Sequence, residues 1–118
     1  MKKRAAEPPR YRLFLKPSVH RARKRLPGNV RQRIGRGIDD LGRDPRPAKS
    51  RELRLPDGLQ VPTPIEWEVR RLRVERFRIV YAISEAWKEV AVLAVEERPP
   101  YNYDDLERLL TELVEDGA

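Results

Sequence analysis

The chain has 118 residues, of which 26 are Lys or Arg and 19 are Asp or Glu, giving a formal net charge of +7. A chain of this length can bury one core without metal or disulfide support, so a single domain is the expected organisation. The absence of cysteine excludes disulfides, zinc–thiolate sites and cysteine nucleophiles, and suits a reducing cytoplasm. No apolar run reaches the roughly 18–20 residues that a membrane helix needs, so no membrane partner is expected.

Positive charge is concentrated in the first half of the chain. Residues 1–54 hold 18 Lys or Arg against 5 Asp or Glu, whereas residues 99–118 hold one against six. This asymmetry favours a polyanionic partner, with nucleic acid the first candidate, although a solubilising surface would show the same excess. The predominance of arginine over lysine favours phosphate recognition. Residues 1–9 lack an apolar stretch, so we expect a flexible basic arm before one domain over residues 10–118.

The first predicted elements are a strand and a helical hairpin. The alternating stretch Tyr11–Lys16 predicts an opening strand, and Ser18 is placed to cap the helix after it. Asn29 is placed to cap a second helix after the break at Pro27 and Gly28. Apolar residues recur at helical spacing in both helices: Val19, Ala22 and Leu26, then Val30, Ile34, Ile38 and Leu41.

Cations cover the other sides of this helical hairpin. They suit contacts with RNA phosphates of salt-dependent affinity, and the candidates are Arg21, Lys24, Arg25 and Arg31. His20, the single histidine, is expected to be exposed and to have no catalytic role.

The second half of the chain predicts a sheet. After a loop-rich segment, in which Leu53 and Leu55 could form a brief edge strand, three strands are expected: Ile65–Val74, Phe77–Ser84 and Glu89–Glu96. The last is apolar on both faces, as a central strand would be. An acidic helix over about Tyr103–Val114 completes the order β-α-α-β-β-β-α. The sequence therefore predicts an α+β fold with a small, mainly antiparallel sheet, an N-terminal helical hairpin and a C-terminal helix.

One predicted β-hairpin, RRLRVERFRIVYAI, carries five arginines. If Glu75 and Arg76 form its tip, one face is apolar and the other collects Arg71, Arg73 and Arg78. Arg73 then lies opposite Arg78, and such like-charged pairs are destabilising. A phosphate-binding face would explain this arrangement, and ion pairs with Glu75, Glu66 or the acidic tail would be the alternative.

Three runs of the sequence resemble the RelE/ParE toxin superfamily of bacterial and archaeal toxin–antitoxin systems. They are LKPSVHRARKRLPGNVRQRIGRGIDDLGRDPRP, WEVRRLRVERFRIVYAI and VAVLAVEERPPYNY, and the likeness spans roughly residues 10–110. Its most specific part is Arg-x-Arg, a short turn, and then aromatic-Arg-Ile-Val-Tyr, which here ends at Tyr81. The arginine that closes the last strand, Arg98, adds to it.

The resemblance implies a metal-independent endoribonuclease that inhibits translation by cutting mRNA in the ribosomal A site. By position, the catalytic set would be Arg71, Arg73, Arg78, Arg98 and Tyr103, with Tyr101 as the rival tyrosine. A family lysine two residues before Arg71 falls on Val69 here. The resemblance also implies a cognate antitoxin, with mRNA and the ribosome as further partners and no small-molecule cofactor.

The chemistry needs neither histidine nor metal. Rigid, partly desolvated guanidinium groups stabilise the charge of a phosphorane, and a tyrosine near a cation can transfer the proton. The superfamily leaves open a ParE-like toxin that inhibits DNA gyrase without catalysis. A degenerate member that only binds nucleic acid is a further possibility.

Overall fold

The computed structural model describes residues 10–53 and 67–97. In chain order the elements are β1 (Arg12–Leu15), α1 (Pro17–Lys24), α2 (Gly28–Leu41), β2 (Ser50–Glu52), β3 (Glu68–Val74), β4 (Phe77–Ser84) and β5 (Glu89–Glu96). This confirms the predicted α+β class. The arm at residues 1–9 and the helix at about Tyr103–Val114 lie outside the described residues and stay predictions.

The strands form one mixed sheet in the order β1-β5-β4-β3-β2. β1 runs parallel to β5, and the other neighbours are antiparallel. The predicted order needs one correction, because an additional edge strand, β2, pairs with β3. It comprises Ser50–Glu52 rather than the predicted Leu53 and Leu55. The inner position of β5, between β1 and β4, is as predicted from its two apolar faces.

Both helices begin before their predicted capping residues. Lys16 is the N-cap of α1 and Pro27 that of α2, so Ser18 and Asn29 lie inside the helices. Neither N-cap residue makes a side-chain hydrogen bond to its helix. Proline is favoured in the first helical turn, where its missing N–H is not needed, and this explains why α1 starts at Pro17. Neither helix is long and apolar enough to cross a membrane.

The helices pack on one face of the sheet and form the main core there. Val19 of α1 and Ile34 and Ile38 of α2 are buried against Ile79 and Tyr81 of β4, among others. A second apolar cluster lies on the opposite face and comprises Trp67, Val69, Val80, Ala82, Ala91 and Leu93. Burial on both faces accounts for the continuous apolar stretches of β4 and β5.

Candidate nucleic-acid interface

The arginine-rich hairpin has the predicted tip and register. Glu75 and Arg76 connect β3 to β4, Val74 pairs with Phe77, and Arg73 pairs with Arg78. Glu75 adopts a left-handed conformation with φ of 57°, which is unusual for a residue other than glycine. Two ion pairs hold this tip: Glu75 accepts from Arg33 of α2, and Arg76 lies 3.1 Å from Glu97 after β5.

Alternation along the strands separates the hairpin into two chemically different faces. Leu72, Ile79 and Tyr81 point towards the helices and are buried in the main core. Arg71, Arg73 and Arg78 lie on the opposite face, which we call the arginine face. The structure therefore brings these three predicted site residues together.

The arginine face extends beyond the hairpin onto β2. Lys49, Arg51, Arg71 and Arg73 line one cleft of about 100 Å³. Arg51 pairs directly with Arg71 across the β2–β3 ladder, as Arg73 does with Arg78 across β3–β4. Lys49 and Arg51 were not predicted as site residues. The alternation of side chains along Ser50–Glu52 is the sequence signal that could have identified them. The prediction placed the edge strand at Leu53 and Leu55 instead, a few residues further along the chain.

The four cleft cations and Arg78 form no ion pair with a residue in the described ranges. Arg73 makes a single contact, donating from Nε to the backbone carbonyl of Glu75 at 3.3 Å. On the opposite face of the sheet, two arginines are paired with carboxylates. Arg46 binds Glu68 at 2.8 Å and Glu85 at 3.0 Å, and Arg70 binds Glu68 at 2.7 Å. What distinguishes the arginine face among the described residues is that its cations lie directly opposite one another across the strands.

The carboxylates of that ion-pair network are held in their charged form. Hydrogen bonding from Arg46 lowers the pKa of Glu68, with a further contribution from Arg70, and outweighs the opposing effect of burial. The pKa of Glu85 falls to about 2 because Lys88, Tyr11 and Arg46 all donate to it. These side chains compensate one another, so they offer little charge to an external ligand.

Arg78 has the surroundings expected of a group that binds a charged transition state. Its side chain is half-buried, and its Nε is buried without a hydrogen-bond partner in the described part of the chain. The register places Arg73 on one side of it and Glu96 of β5 on the other. A buried donor without a partner favours an incoming acceptor such as a phosphate oxygen.

Three aromatic residues near the sheet make contacts within the protein. The hydroxyl of Tyr81 donates to the carbonyl of Pro45 at 2.6 Å in the core, and burial raises the pKa of Tyr81. Trp67 and Trp87 pack edge to face, with ring centroids 6.0 Å apart. His20 is exposed on α1.

The predicted site residues of the helices do not join the arginine face. The helical candidates Arg21, Lys24, Arg25 and Arg31 are exposed in or next to α1 and α2, on the far side of the sheet. Arg98, Tyr101 and Tyr103 lie outside the described residues. Val69, at the family's lysine position, is buried in the second apolar cluster beside Trp67.

Comparisons with solved structures identify the fold. An archaeal RelE–RelB complex from Pyrococcus horikoshii OT3 matches with a TM-score of 0.63 and 21% identity, covering 78% of this chain and 99% of that chain. The RelBE2 toxin–antitoxin complex of Mycobacterium tuberculosis gives 0.58 and 22%, covering 76% and 99%. The isolated RelE toxin of E. coli gives 0.54 and 18%, covering 92% and 99%.

No protein-family model matches the sequence, and neither does any curated protein. At these identities the structural likeness shows the fold: this chain has the fold of the RelE toxins. The resemblance seen in the sequence is confirmed at that level.

Proposed function

We propose that this protein is the toxin of a toxin–antitoxin pair and acts as a RelE-like, ribosome-dependent mRNA endoribonuclease. The observation that carries the proposal is the arginine face: Arg71, Arg73 and Arg78 are gathered on one side of the sheet without acidic partners in the described ranges. Directly opposed arginines repel each other and destabilise the sheet, and a phosphate bound between them would offset that repulsion. The RelE fold makes mRNA the favoured source of that phosphate.

The proposed reaction is an RNA transesterification that needs no metal ion. The 2′-hydroxyl attacks the adjacent phosphorus and loses its proton, and the bond from phosphorus to the 5′-oxygen breaks as that oxygen is protonated. The products are a 2′,3′-cyclic phosphate and a 5′-hydroxyl. Arg78 and Arg98 stabilise the charge on the phosphorane oxygens, while Arg71 and Arg73 hold the RNA.

Arginine is a poor proton carrier because its pKa exceeds 12, so another group moves the protons. In this proposal Tyr103 or Tyr101 does so. Tyr81 is unsuited to the task because its hydroxyl is buried on the core side of the sheet and bonded to Pro45.

The proposed protein partner is a cognate antitoxin. Two of the similar structures are RelE proteins in complex with RelB. In this chain an antitoxin would neutralise the toxin by covering the arginine face with an acidic segment. Such a pair, acting on ribosomes, would function in the cytoplasm.

Induced expression in cells tests the proposal. Wild-type protein should arrest growth, and primer extension on a reporter mRNA should reveal cuts in the A site. Arg98→Ala and Arg78→Ala should remove the cuts while the proteins stay folded, whereas Arg12→Ala, an exposed arginine on β1, should not. Growth arrest with intact mRNA and trapped gyrase–DNA complexes would refute the proposal in favour of a ParE-like toxin.

A further inference from the structure

The β2–β3 ladder contains a second pair of directly opposed arginines. Arg51 of β2 lies opposite Arg71 of β3, whereas the first pair joins Arg73 of β3 to Arg78 of β4. Cross-strand like charges are destabilising, so this second pair also needs a compensating group. The proposed endoribonuclease site at Arg78 does not supply one for Arg51.

The carboxylates closest in sequence are directed away from this pair. Glu52 follows Arg51 and pairs in register with Arg70, which places both on the helix-facing side of the sheet. Glu68 lies on that side too, where it binds Arg46 and Arg70. Acidic partners are thus segregated to one face of β2 and β3, and uncompensated cations to the other.

The cleft formed by these cations has the size and chemistry of an anion site. Lys49, Arg51, Arg71 and Arg73 line a space of about 100 Å³, and none of them has an acidic partner within residues 10–53 and 67–97. This space is large enough for a phosphate group. Planar guanidinium groups bind phosphate oxygens through paired, charge-assisted hydrogen bonds.

We propose that Lys49 and Arg51, together with Arg71 and Arg73, form a second phosphate subsite that holds a phosphodiester next to the scissile one. Arg73 connects the two positions because it lines the cleft and also lies opposite Arg78. β3 separates β2 from β4, and Arg71 and Arg73 are two residues apart on β3, so the backbones of Arg51 and Arg78 are about 12 Å apart across the sheet. That the ligand is single-stranded RNA rests on the function proposed above.

The test is the binding of short, uncleavable 2′-O-methyl oligoribonucleotides, measured by fluorescence anisotropy at several salt concentrations. For the wild type, affinity should rise when the oligonucleotide gains the phosphate that fills the subsite. The double variant Lys49→Gln/Arg51→Gln should lose that gain, about tenfold in Kd, while binding of the one-phosphate dinucleotide stays unchanged. The slope of log K against log salt concentration should also weaken by about 0.7, since the contact with one phosphate is lost.

Arg10→Gln/Arg12→Gln is the matched control, because it removes the same charge from exposed residues at the opposite edge of the sheet. It should keep the gain in affinity. An equal loss in both double variants would show a diffuse electrostatic effect and would overturn the subsite. Unchanged RNA binding by Lys49→Gln/Arg51→Gln would overturn it as well.

This experiment separates the subsite from the proposed function. If the wild type never cuts mRNA yet shows the phosphate-dependent gain, the nuclease proposal fails and the subsite stands. If the wild type cuts mRNA and the gain is absent, the subsite fails and the nuclease proposal stands.

Discussion

Arg73 of β3 lies directly opposite Arg78 of β4, and neither forms an ion pair with a residue in the described ranges. Both side chains project from the sheet face that lies away from α1 and α2. This arrangement opposes folding locally while concentrating positive charge at one place. It implies that function and stability compete at these two positions, and the competition can be measured.

Replacing one arginine of the pair by an acid should separate stability from function. Arg73→Glu puts a carboxylate opposite Arg78, so the free energy of unfolding in urea should rise by about 0.5 kcal/mol. Cleavage of mRNA should be lost, because the substituted carboxylate repels phosphate and neutralises Arg78. Arg73→Gln, which removes the repulsion without adding charge, should lie between the two proteins in stability. An Arg73→Glu protein that is less stable than wild type, or that still cuts mRNA, would contradict this interpretation.

Gly37 in α2 should tolerate a methyl group. A Cβ built at this position meets Val74, Ile79 and Leu72 at 3.4 to 3.7 Å, which is ordinary or near-ordinary packing. Gly37→Ala should therefore raise the free energy of unfolding by up to about 1 kcal/mol through helix propensity. Denaturation in urea measures this. Gly28→Ala in the first turn of α2, where a Cβ meets nothing within 4 Å, serves as the comparison without packing. A clear loss of stability in Gly37→Ala would show that helix and sheet cannot move apart by even a few tenths of an ångström.

Acid should weaken the fold partly through Glu85. Lys88, Tyr11 and Arg46 lower the pKa of this carboxyl from 4.5 to about 2. A lowered folded-state pKa means that the contribution of Glu85 is present above pH 4.5 and is lost as the pH falls towards 2. The free energy of unfolding of Glu85→Gln should therefore fall less steeply than that of wild type over this interval. Glu52→Gln, at an exposed carboxyl without an ion pair in the described chain, should keep the wild-type steepness. If the free energy of unfolding of Glu85→Gln and of wild type depends on pH in the same way, Glu85 does not contribute to the acid sensitivity of the fold.

Tyr81 should matter for folding rather than for chemistry. Tyr81→Phe removes the hydrogen bond to the Pro45 carbonyl and leaves that buried acceptor without its donor. The expected cost is about 1–2 kcal/mol in the free energy of unfolding. Under conditions in which the variant is folded, as judged by circular dichroism, its rate of mRNA cleavage should match that of wild type. A large loss of cleavage by the folded variant would place Tyr81 in the reaction instead.

The hairpin was predictable because two independent signals agree. Alternation of apolar and charged residues from Leu72 to Tyr81 fixes which side chains share a face, and a slip of one residue would bury the arginines. That constraint predicts Glu75 and Arg76 as the tip, although this pair is not a favoured turn sequence. The same alternation places Tyr81 on the apolar face of the hairpin, where it is buried.

Other features depended on contacts that local patterns do not encode. The parallel pairing of β1 with β5 joins segments more than 70 residues apart, and nothing within Arg12–Leu15 specifies its partner. The irregularity between Val80 and Tyr81, where the β4–β5 register shifts, is likewise a property of the assembled sheet. Lys49 and Arg51 lie beside Arg71 because β2 pairs with β3, a contact that the local sequence does not specify.

The central claim is that the guanidinium group of Arg78 binds the phosphate at which RNA is cut. Single-turnover cleavage of mRNA on purified ribosomes, with mapping of the 2′,3′-cyclic phosphate ends, tests it most directly. Arg78→Ala should cleave at least about 100-fold more slowly than wild type, as expected on losing a group that stabilises developing charge, and Arg12→Ala should cleave normally. Cleavage by a folded Arg78→Ala protein at the wild-type rate would contradict the claim.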